Sequence, residues 1–360
     1  ERVWEFDWEE AERVEKKLQR LEKKDRLPPL SYLFMVSYRV WRVQNNEVPD
    51  QKTEQALRKE IEKWAQKGME LSDPSTSPDS FKAINLLIYS GIKGFVATLK
   101  LEQNPVEAAL EGFAALKMLE HLAASHPTIK DAYLGLGIFY CALAKASPLV
   151  RGAVNLTGRG VSLQEGIDHL RVSSGQGRYT RTAAKLYLVQ FLSPYLGDQS
   201  DEKARIFRTL QRSYPKNPFY VFLELEENLC FHHHLLTEFS TSERLKKKIR
   251  SLSATEASRR KYANLVRWQY LFINPFPVSG IEPDTALDMQ EFAYYPLFLQ
   301  ALREKMLLKQ KSSPSDLKKR VVYIRKTSDV VLRKLGESGM GIAKKGHYTW
   351  HVRDALRTGR

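Results

Sequence analysis

Two cysteines in 360 residues, Cys141 and Cys230, leave no material for a disulfide framework. Both lie in apolar, helix-patterned surroundings and read as buried free thiols. No run of about 18 apolar residues occurs, so the sequence offers no membrane-spanning helix. Alternation of apolar and polar residues over five or more positions is scarce, which argues against a sheet. Phosphate-binding and hydrolytic signatures are missing as well. There is no Walker-type loop, no Gly-x-Ser-x-Gly elbow and no His-Glu-x-x-His pair. Gly336, Gly339 and Gly341 precede Lys344 and Lys345, but they follow a helical pattern rather than a strand. His232, His233 and His234 are consecutive. Neighbouring helical residues point about 100° apart, so these three do not converge on one metal. Carboxylates are plentiful, yet none stands out as a catalytic pair. These absences predict a non-enzymatic protein without metal or cofactor.

Charge is the first positive signal. Lysine and arginine number 57 against 42 acidic residues, a net charge of +15. The surplus is uneven: residues 1–130 carry a net −1 and residues 131–360 a net +16. Basic stretches occur at 244–250, 259–261 and 318–334. A basic half favours an acidic partner, which is an acidic protein face, an anionic lipid surface or nucleic acid. Solvated helix faces are the plainer reading of the same residues.

Helical periodicity runs through nearly the whole chain. The spacing predicts helices over 6–24, 31–43, 51–71, 81–101 and 105–125, with Pro49 and Pro105 at helix starts, where a missing N–H is harmless. The loops ending at Pro29, Pro78 and Pro127 recur at one fixed interval, and Gly175 to Gly177 continue it. A constant period built from helix pairs is a repeat signature. Tyr133, Leu136 and Tyr140 share one helical face. Gly137 lies among them, where a missing side chain admits a neighbouring helix. Ala115, Gly166 and Ala204 stand at corresponding small positions before Pro127, the Gly175–Gly177 turn and Pro215.

The pattern Tyr133-x-x-Leu136-Gly137-x-x-Tyr140 after Pro127 resembles the first helix of a tetratricopeptide repeat. Ala183, Ala184 and Tyr187 repeat it in weaker form, and the stretch 203–215 resembles a second helix. The resemblance covers about 105–225; it is degenerate over 1–104 and weak beyond 240. One segment, 146–160, lengthens a connection that is a tight turn in standard repeats. Together with Gly166 to Leu170, it is similar to a divergent branch holding inclusion-body-clearance proteins and uncharacterised bacterial relatives. The resemblance implies an all-α, right-handed α-α superhelix that acts in protein assemblies without enzymatic activity. The expected organisation is a repeat array over 1–240, a basic helical continuation or cap over 241–338, and a polar tail over 339–360.

In stacked repeats the first helices line a concave face. Taking Gly137 as the small position places Asp131, Leu134, Ile138 and Cys141 on that face. Taking Ala184 likewise places Arg178, Arg181, Lys185 and Leu188 there. Arg178, Arg181 and Lys185 fall three and four residues apart, giving an expected basic stripe for a carboxylate terminus or an acidic motif. The plainer alternative pairs them with nearby acids such as Asp198 or Asp201. Phe292, Tyr294, Tyr295 and Phe298 form an aromatic cluster that serves either as a capping core or as a docking patch.

The expected function is a scaffold for a protein or peptide partner with an acidic patch. A structural subunit of a large assembly, docking by its edges, is one alternative. A binder of nucleic acid or anionic lipid through the basic half is another. The non-methionine start and the branch resemblance point to a bacterial periplasm or envelope ahead of the cytoplasm.

Overall fold

The structure is a computed structural model. It describes residues 8–24, 27–44, 51–100, 104–145, 162–192, 200–215 and 217–231, with helical pieces at 247, 249–250, 262–267 and 269–270. Among these residues the fold is all-α, with no strand. Ten helices follow in chain order: α1 Trp8–Glu22, α2 Pro29–Gln44, α3 Gln51–Leu71, α4 Asp79–Lys100 and α5 Pro105–Ser125. They continue as α6 Ala132–Lys145, α7 Leu163–Gln176, α8 Arg181–Phe191, α9 Ser200–Ser213 and α10 Pro218–Phe231. No described helix is long and apolar enough to cross a membrane.

The chain divides into two compact units. One joins 9–43 with 48–206; the other joins 1–8, 44–47 and 207–360. The division falls within α9, between Ile206 and Phe207. The expected boundary at 240 lies outside the described residues, as do the 146–160 connection, the histidines 232–234, the 339–360 tail and nearly all of 241–338.

In the first unit, packing follows the chain from α3 through α8: α3 on α4, α4 on α5, α5 on α6, α6 on α7 and α7 on α8. Alternate helices also meet, α4 with α6 and α6 with α8. Two apolar clusters hold it. Tyr32, Met35, Val36 and Val40 of α2 pack with Ile61 and Trp64 of α3 and with Ile88 and Ile92 of α4. Leu86 and Leu87 of α4, Leu116, Leu119 and Leu122 of α5, and Ala132 and Leu136 of α6 form the second. Full burial of one such side chain contributes roughly 1.5–3 kcal/mol. The start of α5 shows the local chemistry. Asn104 caps it by accepting a 3.2 Å bond from the Glu107 N–H, and Pro105 takes the first turn, where no N–H is needed.

α6 and α7 cross at two glycines. A Cβ on Gly137 would lie 2.6 Å from Leu170 Cγ and 2.9 Å from the Gly166 carbonyl oxygen. A Cβ on Gly166 would lie 2.6 Å from Cys141 Sγ. The backbones therefore approach as only glycine permits.

In the second unit, aromatic side chains organise α10. Phe219 and Phe222 pack on Tyr262 with centroids 4.9 and 5.6 Å apart, and Tyr214 meets Tyr220 at 5.6 Å. Gln211 donates to Glu224 Oε2 at 2.6 Å, and Gln269 donates to the Phe222 carbonyl at 3.3 Å.

Candidate functional site

The turn from Gly177 to Thr180 connects α7 to α8, and it is pinned from a distance in sequence. Asp131, buried just before α6, accepts from the backbone N–H groups of Arg178 (3.2 Å), Tyr179 (2.7 Å) and Thr180 (2.9 Å). The Thr180 hydroxyl donates to the same carboxylate at 2.9 Å. Thr180 does not cap α8 with its own side chain. Asp131 serves the turn rather than the helix, one carboxylate accepting from four donors.

The pinned turn and the helix that follows it present three cations and one aromatic ring. Arg178 and Tyr179 lie in the turn itself, with the guanidinium 5.4 Å from the Tyr179 ring centroid. Tyr179 is exposed at 52 %. Arg181 opens α8 as an exposed residue, and Lys185 follows one turn later, half-buried. On the helical wheel Lys185 lies between the buried Leu188 and Val189, on the inner half of α8. Burial first, and the Arg181 charge second, pull its ammonium below the ordinary lysine range.

None of these three cations has a carboxylate partner among the described residues, in contrast to other basic groups drawn into the same unit. Arg39 is held by Glu15 and Glu60. Lys100 meets Glu107 and Glu111. Arg171 forms a fork with Glu202 at 3.0 and 2.7 Å and reaches Asp168 at 2.8 Å. The first turn of α8 contains no acid. Cations at a helix N-terminus oppose the macrodipole, so Arg181 stands where local stability disfavours it.

The three residues of the expected stripe fall on two pieces of structure. Arg181 and Lys185 share a face of α8, while Arg178 lies in the preceding turn and projects over Tyr179. Of the four positions expected on the neighbouring face of α6, Leu134 and Ile138 are partly exposed. Asp131 and Cys141 are buried: the first is spent on the turn, the second packs where α6 crosses Gly166. Pairing with Asp198 lies outside the described residues, and Asp201 makes no ion pair with the stripe. Tyr179 escaped the sequence reading, because a lone tyrosine between basic residues carries no periodic signal. The aromatic patch Phe292, Tyr294, Tyr295 and Phe298 lies outside the described residues.

A second polar feature lies between α6 and α7. His169 sits between Tyr133 and Tyr140, each ring centroid 5.4 Å away. Desolvation is the largest influence on it and lowers its pKa from the ordinary 6.5, against the opposing pull of Glu165, Asp168 and Glu120. Tyr140 in turn donates to Glu120 of α5 at 3.1 Å. The signature tyrosines thereby tie three helices together.

Compared with protein-family models, curated proteins and solved structures, the chain matches none.

Proposed function

We propose that the protein is a non-enzymatic scaffold, a right-handed superhelix of tetratricopeptide-like helix pairs that binds an acidic protein or peptide partner. The observation that carries this reading is the Arg181–Lys185 pair: an exposed cation at the start of α8 and a half-buried one a turn later, with no carboxylate partner among the described residues. A bound carboxylate offsets both the desolvation of Lys185 and its repulsion from Arg181. Leu134 and Ile138 add partly exposed apolar surface, and Arg178 with Tyr179 extends the basic end. The helix-on-helix packing with alternate contacts, α4 to α6 to α8, suits a stacked array. A surface of this kind needs no catalytic group.

Affinity capture from lysate of the native cell, with wild type and the double variant Arg181→Gln/Lys185→Gln in parallel, tests this. A protein partner recovered at low and high salt by wild type, and lost by the folded variant, is the expected result. Recovery of the same proteins by both removes the site from the function. Nucleic acid or lipid recovered at low salt only moves the function to the basic stretches 244–261 and 318–334.

A further inference from the structure

Resting on that reading, we infer a spacing rule for the partner: an extended segment with two acidic residues at alternate positions, acid-x-acid, seated on Arg181 and Lys185. The two cations are one helical turn apart, a rise of about 6 Å along α8. Alternate residues of an extended chain project to one side about 6.6–6.8 Å apart. Adjacent acids would point to opposite sides, and acids four apart in an extended chain lie at about twice the needed distance. An acid pair four apart on a partner helix would match in rise. A helix about 10–12 Å across, however, is too bulky to reach a half-buried ammonium flanked by Leu188 and Val189. An extended chain is slim enough to place one carboxylate there.

Tyr179 sets what stands beside the acids. Its ring is exposed at 52 %, and Arg178 is its cationic neighbour. Asp131 fixes the backbone beneath it through the N–H groups of 178–180, so the ring is presented from an ordered turn. An apolar or aromatic partner residue flanking the acid pair on its Tyr179 side packs on this ring. The site therefore reads two charges and one apolar group within a few residues. The acids are internal to the segment, and a free chain terminus is not required.

The test is fluorescence anisotropy with labelled short peptides, amidated at the C-terminus, carrying Glu-x-Glu, Glu-Glu or Glu-x-x-x-Glu beside one Phe, against the full chain. Glu-x-Glu is expected to bind at least about tenfold tighter than either other spacing. Arg181→Gln and Lys185→Gln should each remove that preference, and Tyr179→Ala should weaken all Phe-bearing peptides alike. Equal affinity for the three spacings, with loss in the double variant, overturns the spacing rule and leaves the acidic-partner reading standing. Binding unaffected by Arg181→Gln/Lys185→Gln overturns both. A single-stranded oligonucleotide that binds as tightly as Glu-x-Glu, through the same two residues, overturns the peptide assignment. Circular dichroism of each variant shows that the fold is kept.

Discussion

Two residues show how the same substitution has opposite effects in different surroundings. Gly137 faces Leu170 and the Gly166 carbonyl at distances no Cβ tolerates, whereas a Cβ on Gly94 would meet nothing within 4 Å. Both sit within helices, α6 and α4, where alanine is intrinsically better by up to about 1 kcal/mol. Thermal or urea unfolding is expected to show Gly94→Ala gaining up to about 1 kcal/mol and Gly137→Ala losing about 2 kcal/mol. Equal effects would mean that α6 and α7 do not cross at Gly137 and Gly166. Lys185 poses the complementary case of a residue that disfavours its own fold. Its charge is desolvated and repelled by that of Arg181. Lys185→Met is expected to raise stability by about 0.5–1 kcal/mol while abolishing partner binding. A variant that loses stability would show that Lys185 serves packing rather than recognition.

At the scale of elements, the α6–α7 pair is joined by polar as well as glycine contacts. His169 of α7 rests between the two tyrosines of α6, and burial lowers its pKa from 6.5. The unfolded chain therefore binds a proton more readily than the folded one. Stability from this residue is present above about pH 6.5 and declines as pH falls from there through the folded-state value. Unfolding measured from about pH 7.5 to about pH 5.5 should show this decline, and His169→Gln should flatten it. An unchanged slope in the variant would assign the decline to other groups. The same element scale explains what the sequence made legible. Helix starts at Pro105 and Gln51 could be read because proline tolerance and apolar spacing are local properties. The small positions Gly137 and Gly166 were readable as sites of close approach for the same reason. The Asp131 clamp was not, since its donors lie 47 to 49 residues away. Residue periodicity placed Asp131 on an open face; its actual partners are backbone groups of a turn that no side-chain pattern encodes.

For the whole molecule, the decisive question is whether the face around α8 meets a protein. Much of the fold class was visible in the chain, because helical period and scarce alternation exclude a sheet wherever they occur. The candidate site was half visible. The spacing of Arg181 and Lys185 placed them on one face, but whether acids neutralise them depends on packing between helices distant in sequence. Arg39, Lys100 and Arg171 look equally basic in the sequence, and the fold supplies each with carboxylates. The pair on α8 receives none among the described residues, and this contrast is the basis for placing the partner there. The most direct measurement is photo-crosslinking in native lysate, with a photoreactive phenylalanine at position 179 in one protein and at position 110 in another. Leu110 is the more exposed of the two, at 67 %, and lies on α5. A discrete protein adduct from position 179 and none from 110 is the predicted result. An adduct from position 110 alone, or nucleic acid in place of protein at 179, would contradict the account.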